Sequence, residues 1–233
     1  MEQLTFPANP GGALSRAAEL GAGVRGGRTR VKICGCTSAA EVTAAVAAGA
    51  DAVGLIFAPS PRRITLEQAV AATSEVPPGV TVVGVFVDPT VAELDFALTV
   101  LPTLVPQFSG VEPPELCRYL GVPYLKVFPV AADRAELESD LMEYPDALPV
   151  FETASPQRGG SGRTFDWSLV QPIAERGAVV IGGGLTPGNV GDCVRRLRPY
   201  AVDVRSGVES QGAKDPVKLG EFLAAVRSAD AAS

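Results

Sequence analysis

The sequence predicts an α/β fold, a single (β/α)8 barrel with a short N-terminal extension. Eight short apolar runs recur between residues 31 and 204, and most are separated by segments with helical spacing. Strands alternating with helices make βαβ units and a parallel sheet. The runs are apolar nearly throughout, as strands covered on both faces are. A length of 233 residues suits one domain of this class. A doubly wound open sheet is the competing architecture. The absence of G-x-G-x-x-G after the first run weighs against it.

Residues 1–28 are rich in Gly and Ala, with weak helical spacing over Ala13–Ala22. They are read as an extension outside the barrel, either a disordered tail or a contact with a partner subunit, and residues 29–233 are assigned to the barrel. The first strand, Val31–Cys34, ends at Gly35, and Thr37-Ser38 opens a helix over Ala39–Ala48. Further strands are expected at Ala52–Phe57, Val82–Val87, Thr103–Phe108, Tyr124–Phe128, Leu148–Phe151, Ala178–Ile181 and Ala201–Val204. Helices are expected at Leu66–Thr73, Val91–Leu98, Glu112–Tyr119, Arg134–Met142, Trp167–Ile173, Gly188–Leu197 and Val217–Val226.

Composition narrows the chemistry. Hydrophobic residues make up 46% of the chain and charged residues 20%, enough for a sizeable core. The net charge of −6 without basic clusters argues against nucleic acid as a partner. No histidine is present, which removes the commonest metal ligand and general base. Acid–base work must fall to Cys, Asp, Glu, Lys or Tyr. The four cysteines, 34, 36, 117 and 193, form no zinc-type spacing, so no zinc site is expected. Cys34 and Cys36 are too close for an easy disulfide, which fits a reduced, cytoplasmic chain. No apolar run is long enough to span a membrane.

In such a barrel the residues just after each strand form one ring at the C-terminal mouth, where the chemistry sits. Strand 1 brings Cys34, and strand 2 brings Arg62 and Arg63. Strand 4 contributes Gln107 and Ser109, strand 6 Glu152, and strand 8 Asp203, Arg205, Ser206 and Gly207. Gly182-Gly183-Gly184 after strand 7 permits close backbone approach to a ligand. Paired loops after strands 7 and 8 commonly hold phosphate, so a phosphorylated small molecule is the expected ligand. Cys34 and Glu152 face each other across the ring, a thiol and a carboxyl suited to paired proton transfer. The alternatives are a small core cysteine and a rim salt bridge. A working thiolate needs nearby cations, for which Lys32, Lys126, Arg62 and Arg63 are candidates. Arg62 could also hold a substrate carboxylate through its fork. The loop Gly159-Gly160-Ser161-Gly162 is read as a lid over the site.

These stretches resemble the phosphoribosylanthranilate isomerase family of tryptophan biosynthesis. The resemblance rests on Val31–Gly35, Gly49–Gly54, Ser60-Pro61-Arg62, Val83–Val87, Gly159–Trp167, Gly183-Gly184-Leu185 with Asn189-Val190, and Val202–Glu209 with Gly212 and Lys214-Asp215. It implies a cofactor-free Amadori rearrangement of N-(5-phosphoribosyl)anthranilate to a 1-amino-1-deoxyribulose 5-phosphate. It also implies a general base at Cys34, a general acid at Glu152 and a carboxylate-binding Arg62. A phosphate grip is implied at Gly183, Gly184, Ser206 and Gly207, with Gln107, Ser109 and Asp203 at the site wall. The expected partner is the phosphosugar, and the chain is expected as a monomer or homodimer. Three positions depart from the family pattern: Glu152 stands for aspartate, Ser109 for histidine and Arg205 for serine. They keep open a divergent relative acting on another aminated phosphosugar. A non-catalytic barrel that binds a phosphorylated ligand or a protein is a further alternative.

Overall fold

The computed structural model describes residues 27–130, 134–154 and 164–232. Eight parallel strands close into a barrel in sequence order. They are β1 (Arg30–Cys34), β2 (Ala52–Ile56), β3 (Thr81–Phe86), β4 (Val105–Phe108), β5 (Leu125–Val130), β6 (Leu148–Thr153), β7 (Val180–Ile181) and β8 (Ala201–Val204). The helices are α1 (Ala39–Ala48), α2 (Leu66–Thr73), α3 (Val91–Val100), α4 (Pro114–Tyr119), α5 (Arg134–Glu143), α6 (Gln171–Ala174), α7 (Val190–Leu197) and α8 (Pro216–Ala231). Among the described residues no helix is long and apolar enough to cross a membrane. The sequence segments Ala13–Ala22 and Gly159–Gly162 lie outside the described residues, as does nearly all of the expected extension.

Local chemistry fixes the helix starts. Ser38 accepts a hydrogen bond from the Glu41 N–H and caps α1, which Gly49 ends in the left-handed region at φ 101°. Thr65 with Gln68 and Thr90 with Glu93 form reciprocal capping boxes on α2 and α3. The expected helix over Trp167–Ile173 is divided. A 3-10 turn at Trp167–Leu169 stops before α6, because Pro172 lacks the N–H that a continuous helix would use. The helix expected from Glu112 starts at Pro114, since the Glu112 carboxylate is buried and accepts from the Asp88 and Gly110 N–H groups.

Strand alternation sorts the side chains. Ala52, Val83, Val105, Leu125, Val150, Val180 and Ala201 pack together inside the lower barrel. Ile33, Val53, Phe108, Phe151, Ile181 and Val202 point outward into the larger core beneath the helices. Cys34, Ile56 and Val85 make a small apolar collar at the mouth. The ring closes between β1 and β8, with Lys32 paired opposite Asp203. One element has no counterpart in the sequence reading. Strands β9 (Glu209–Ser210) and β10 (Ala213–Lys214) form a hairpin after β8. Gln211 and Gly212 turn it at φ 51° and 78°, the two positive values that a tight hairpin turn requires.

Candidate active site

A cavity of about 720 Å³ opens at the C-terminal mouth. It is lined by Cys34, Gln107, Ser109, Glu152, Gly183, Gly184, Asp203, Arg205, Ser206 and Gly207, so the fold gathers residues that are up to 173 positions apart. Alternation explains the choice. Lys32 and Cys34 share the inner line of β1, and Asp203 occupies that of β8, with Arg205 following two residues on.

Two glycines make room for Cys34 and Glu152. A Cβ on Gly54 would stand 3.0 Å from the Cys34 Sγ and 3.2 Å from the Lys32 Cε. A Cβ on Gly182 would stand 3.1 Å from the Glu152 Cγ. Beneath both, Lys32 Nζ donates to Asp203 Oδ2 at 2.7 Å in a fully buried ion pair. Burial pulls the Lys32 ammonium down, but Asp203, with Cys34 and Glu152, outweighs it and leaves its pKa raised. Burial, helped by the Asp203 charge, pushes Glu152 up to about 7, against Lys32 and Arg205. Burial also pushes the Cys34 thiol up, while Lys32 and Lys214 pull it back only in part. Asp203 Oδ1 and Gln107 Oε1 are buried acceptors with no hydrogen-bond partner among the described residues.

The glycine loops, after β7 and β8, meet between Glu152 on β6 and Cys34 on β1. Gly183 and Gly184 have φ of 79° and 65°. A Cβ on Gly183 would lie 2.6 Å from the Thr153 backbone N, and one on Gly207 would lie 1.9 Å from the Leu185 carbonyl oxygen. Only glycine lets these loops touch. Asn189 staples the first of them: its Nδ2 donates to the Gly184 carbonyl at 3.0 Å and its Oδ1 accepts from the Thr186 N–H at 2.8 Å.

Arg62 is not among the cavity-lining residues. Its Nε donates to the Gly35 carbonyl at 2.8 Å, its Nη2 to Glu41 Oε2 at 2.5 Å, and its Nη1 to the Gly212 carbonyl. Lys126, a candidate cation for Cys34, has the opposite strand parity and cannot serve. It bonds Glu112 at 2.7 Å and the Gly110 carbonyl at 2.8 Å outside the barrel interior. Sequence reasoning missed Lys214, whose buried Nζ donates to the Arg205 carbonyl and to Glu209. Its only signal was its place in the terminal motif. All four cysteines are buried and unpaired.

Comparison with known proteins agrees with this geometry. The sequence model of N-(5'-phosphoribosyl)anthranilate (PRA) isomerase matches residues 31–225. The N-(5'-phosphoribosyl)anthranilate isomerase of Leptothrix cholodnii is 46% identical over 88% of this chain and 94% of its own length. That of Listeria monocytogenes is 40% identical over 83% and 96%. The crystal structure of the Thermotoga maritima phosphoribosyl anthranilate isomerase superposes with a TM-score of 0.79 at 38% identity, covering 86% of this chain and 99% of that one. A hexulose-6-phosphate synthase at 14% identity shares the fold alone. With eight strands in one closed ring, a thiol and a carboxyl at its mouth, and these relatives across most of its length, the chain belongs to the phosphoribosylanthranilate isomerase family.

Proposed function

We propose that the chain isomerises N-(5'-phosphoribosyl)anthranilate by an Amadori rearrangement, with Glu152 as general acid and Cys34 as general base. The observation that carries this reading is the shared cavity. It holds a carboxyl raised to about 7, a thiol and, between their two strands in the ring, the paired glycine loops. A carboxyl near 7 is half protonated at neutral pH, which suits a group that must give up a proton there.

Glu152 delivers its proton to the ring oxygen as the C1–O bond breaks, and the nitrogen lone pair forms an iminium at C1. Cys34 then takes the proton from C2, and that electron pair makes the C1–C2 double bond of an enolamine. The enolamine relaxes to the ketose as C1 gains a proton and the C2 hydroxyl loses one. To act as a base Cys34 first gives its own proton to solvent at the mouth; the Lys32 ammonium and the iminium formed beside the thiol favour that loss, and the iminium also acidifies C2. The phosphate is held by Gly183, Gly184, Ser206 and Gly207, with Asp203 Oδ1 and Gln107 Oε1 left to accept from sugar hydroxyls. No metal or cofactor enters any step. The four free cysteines suit a reducing compartment such as the cytoplasm.

The test is growth without tryptophan of a bacterium that lacks this isomerase. The wild-type gene restores growth, and Cys34→Ser does not, with turnover lowered at least about 100-fold in the purified variant. Folded wild-type protein that fails to restore growth overturns the reading. A Cys34→Ser loss below about tenfold overturns the base assignment.

A further inference from the structure

We propose that Arg205, rather than Arg62, holds the carboxylate of the substrate's anthranilate ring in this chain. The inference rests on the functional reading above and names the residue that recognises one end of that substrate. Anthranilate carries a carboxylate and the sugar a phosphate, so the site needs two separated anion contacts.

Arg62 is committed elsewhere. All three of its nitrogens are engaged, with the Gly35 carbonyl, the Gly212 carbonyl and Glu41, and Glu209 Oε1 lies 3.7 Å from its Nε. Its side chain is only 12% exposed. Turning it to a ligand strips Glu41, a carboxylate 10% exposed, of its cation, and an unpaired buried charge is costly. Arg62 therefore ties the β1 turn, α1 and the β9–β10 hairpin together.

Arg205 has the opposite circumstances. It is the one arginine among the described lining residues of the cavity, and no lysine lines it. Its backbone is clamped, since its carbonyl accepts from Lys214 Nζ at 2.9 Å. Its guanidinium makes no hydrogen bond or ion pair among the described residues. Its direction is fixed by contact: a Cβ on Gly35 would stand 3.4 Å from both the Cγ and the Cδ of Arg205, and 3.4 Å from the Ile56 Cδ1. The side chain thus leans from β8 over β1 toward β2, away from the β7 glycine loop. A ligand with its phosphate on the glycine loops presents its far end on this side. The guanidinium fork suits a planar carboxylate. Serine, which the family pattern carries here, has no such reach.

The experiment measures binding of two ligands to the full chain: reduced 1-(o-carboxyphenylamino)-1-deoxyribulose 5-phosphate and the same compound without its carboxyl group. Wild type prefers the carboxylated ligand by about tenfold or more, the size of a charge-assisted bidentate contact. Arg205→Ser erases that preference and binds the phenyl analogue within about twofold of wild type. Arg205→Lys, which keeps the charge without the fork, retains part of the preference. Arg62→Ala weakens both ligands alike, through the loosened loops. The proposal is overturned if Arg205→Ser keeps the preference, if it weakens both ligands equally, or if Arg62→Ala alone erases the preference. Wild-type protein that binds neither phosphosugar overturns the functional reading instead, a separate result.

Discussion

Burying the Glu152 carboxyl beside Gly182, with the Asp203 charge close by, makes its ionisation work against the fold. Its folded pKa of about 7 stands against an ordinary value of 4.5. Below 4.5 the group is protonated in both states. As the pH rises from 4.5 to 7 the unfolded chain ionises first and the folded state loses stability, a loss that reaches about 3 kcal/mol and levels off by pH 8. Glu152→Gln removes this dependence. Urea unfolding should show the variant gaining on wild type by about 1–3 kcal/mol between pH 4 and pH 8, and parallel curves would count against the raised carboxyl. The identity of such residues was legible from strand ends alone: Cys34, Glu152, Asp203 and the glycine pairs all line one cavity. Their proton affinities were not, because each is set by neighbours from other strands. The Cys34 thiol illustrates this. Cations were expected to draw it down, yet burial dominates, and of the four cations considered only Lys32 bears on it, joined by Lys214.

At the scale of elements, the loops at the mouth are joined by polar stitches rather than by apolar packing. Glu41, in the first turn of α1, accepts from the Thr37 N–H at 2.7 Å, the Lys214 N–H at 2.9 Å and Arg62 Nη2 at 2.5 Å. Burial raises this carboxyl, but the Arg62 and backbone donors outweigh it and hold it at about 2. A depressed carboxylate lends stability above its ordinary pKa and loses it as the pH falls toward 2. Glu41→Gln is therefore expected to cost about 3 kcal/mol at pH 7, with the gap to wild type closing below pH 3, as followed by urea unfolding. A constant gap across that range would place the loss in packing instead. The helix bounds Ala39–Ala48 and Leu66–Thr73 were legible because caps and periodicity act within a few residues. The partners of Arg62 were not, because the β9–β10 hairpin that accepts one of its bonds lies 150 residues away. Lys126 was misread for a different reason. Strand parity settles its face, and Leu125 and Val127 pack inside the barrel on either side of it in sequence.

For the whole molecule the decisive step is closure of the ring between β1 and β8, and the Lys32–Asp203 pair sits on that seam. Their Cα positions are in register, the side chains are 1% and 3% exposed, and 171 residues separate them in sequence. The eight-strand count was legible from recurrence, but the seam's register was not, since no local pattern links the first strand to the last. An ion pair this deep specifies register by the penalty for leaving either charge alone. Attraction in the interior roughly offsets the desolvation of the two charges, whereas one uncompensated charge costs about 3–5 kcal/mol. Lys32→Met should therefore destabilise by about 3–5 kcal/mol, because Asp203 loses its ammonium while its Oδ1 is already without a partner among the described residues. Asp203→Leu should cost a similar amount. The double variant should recover most of the loss, giving a coupling of more than about 1 kcal/mol in a double-mutant cycle. Additive losses would mean that apolar packing alone aligns the seam. Activity should not return with stability in the double variant. Lys32 is the cation nearest in effect to Cys34, and Asp203 lines the cavity, so the pair that fixes closure also polarises the mouth.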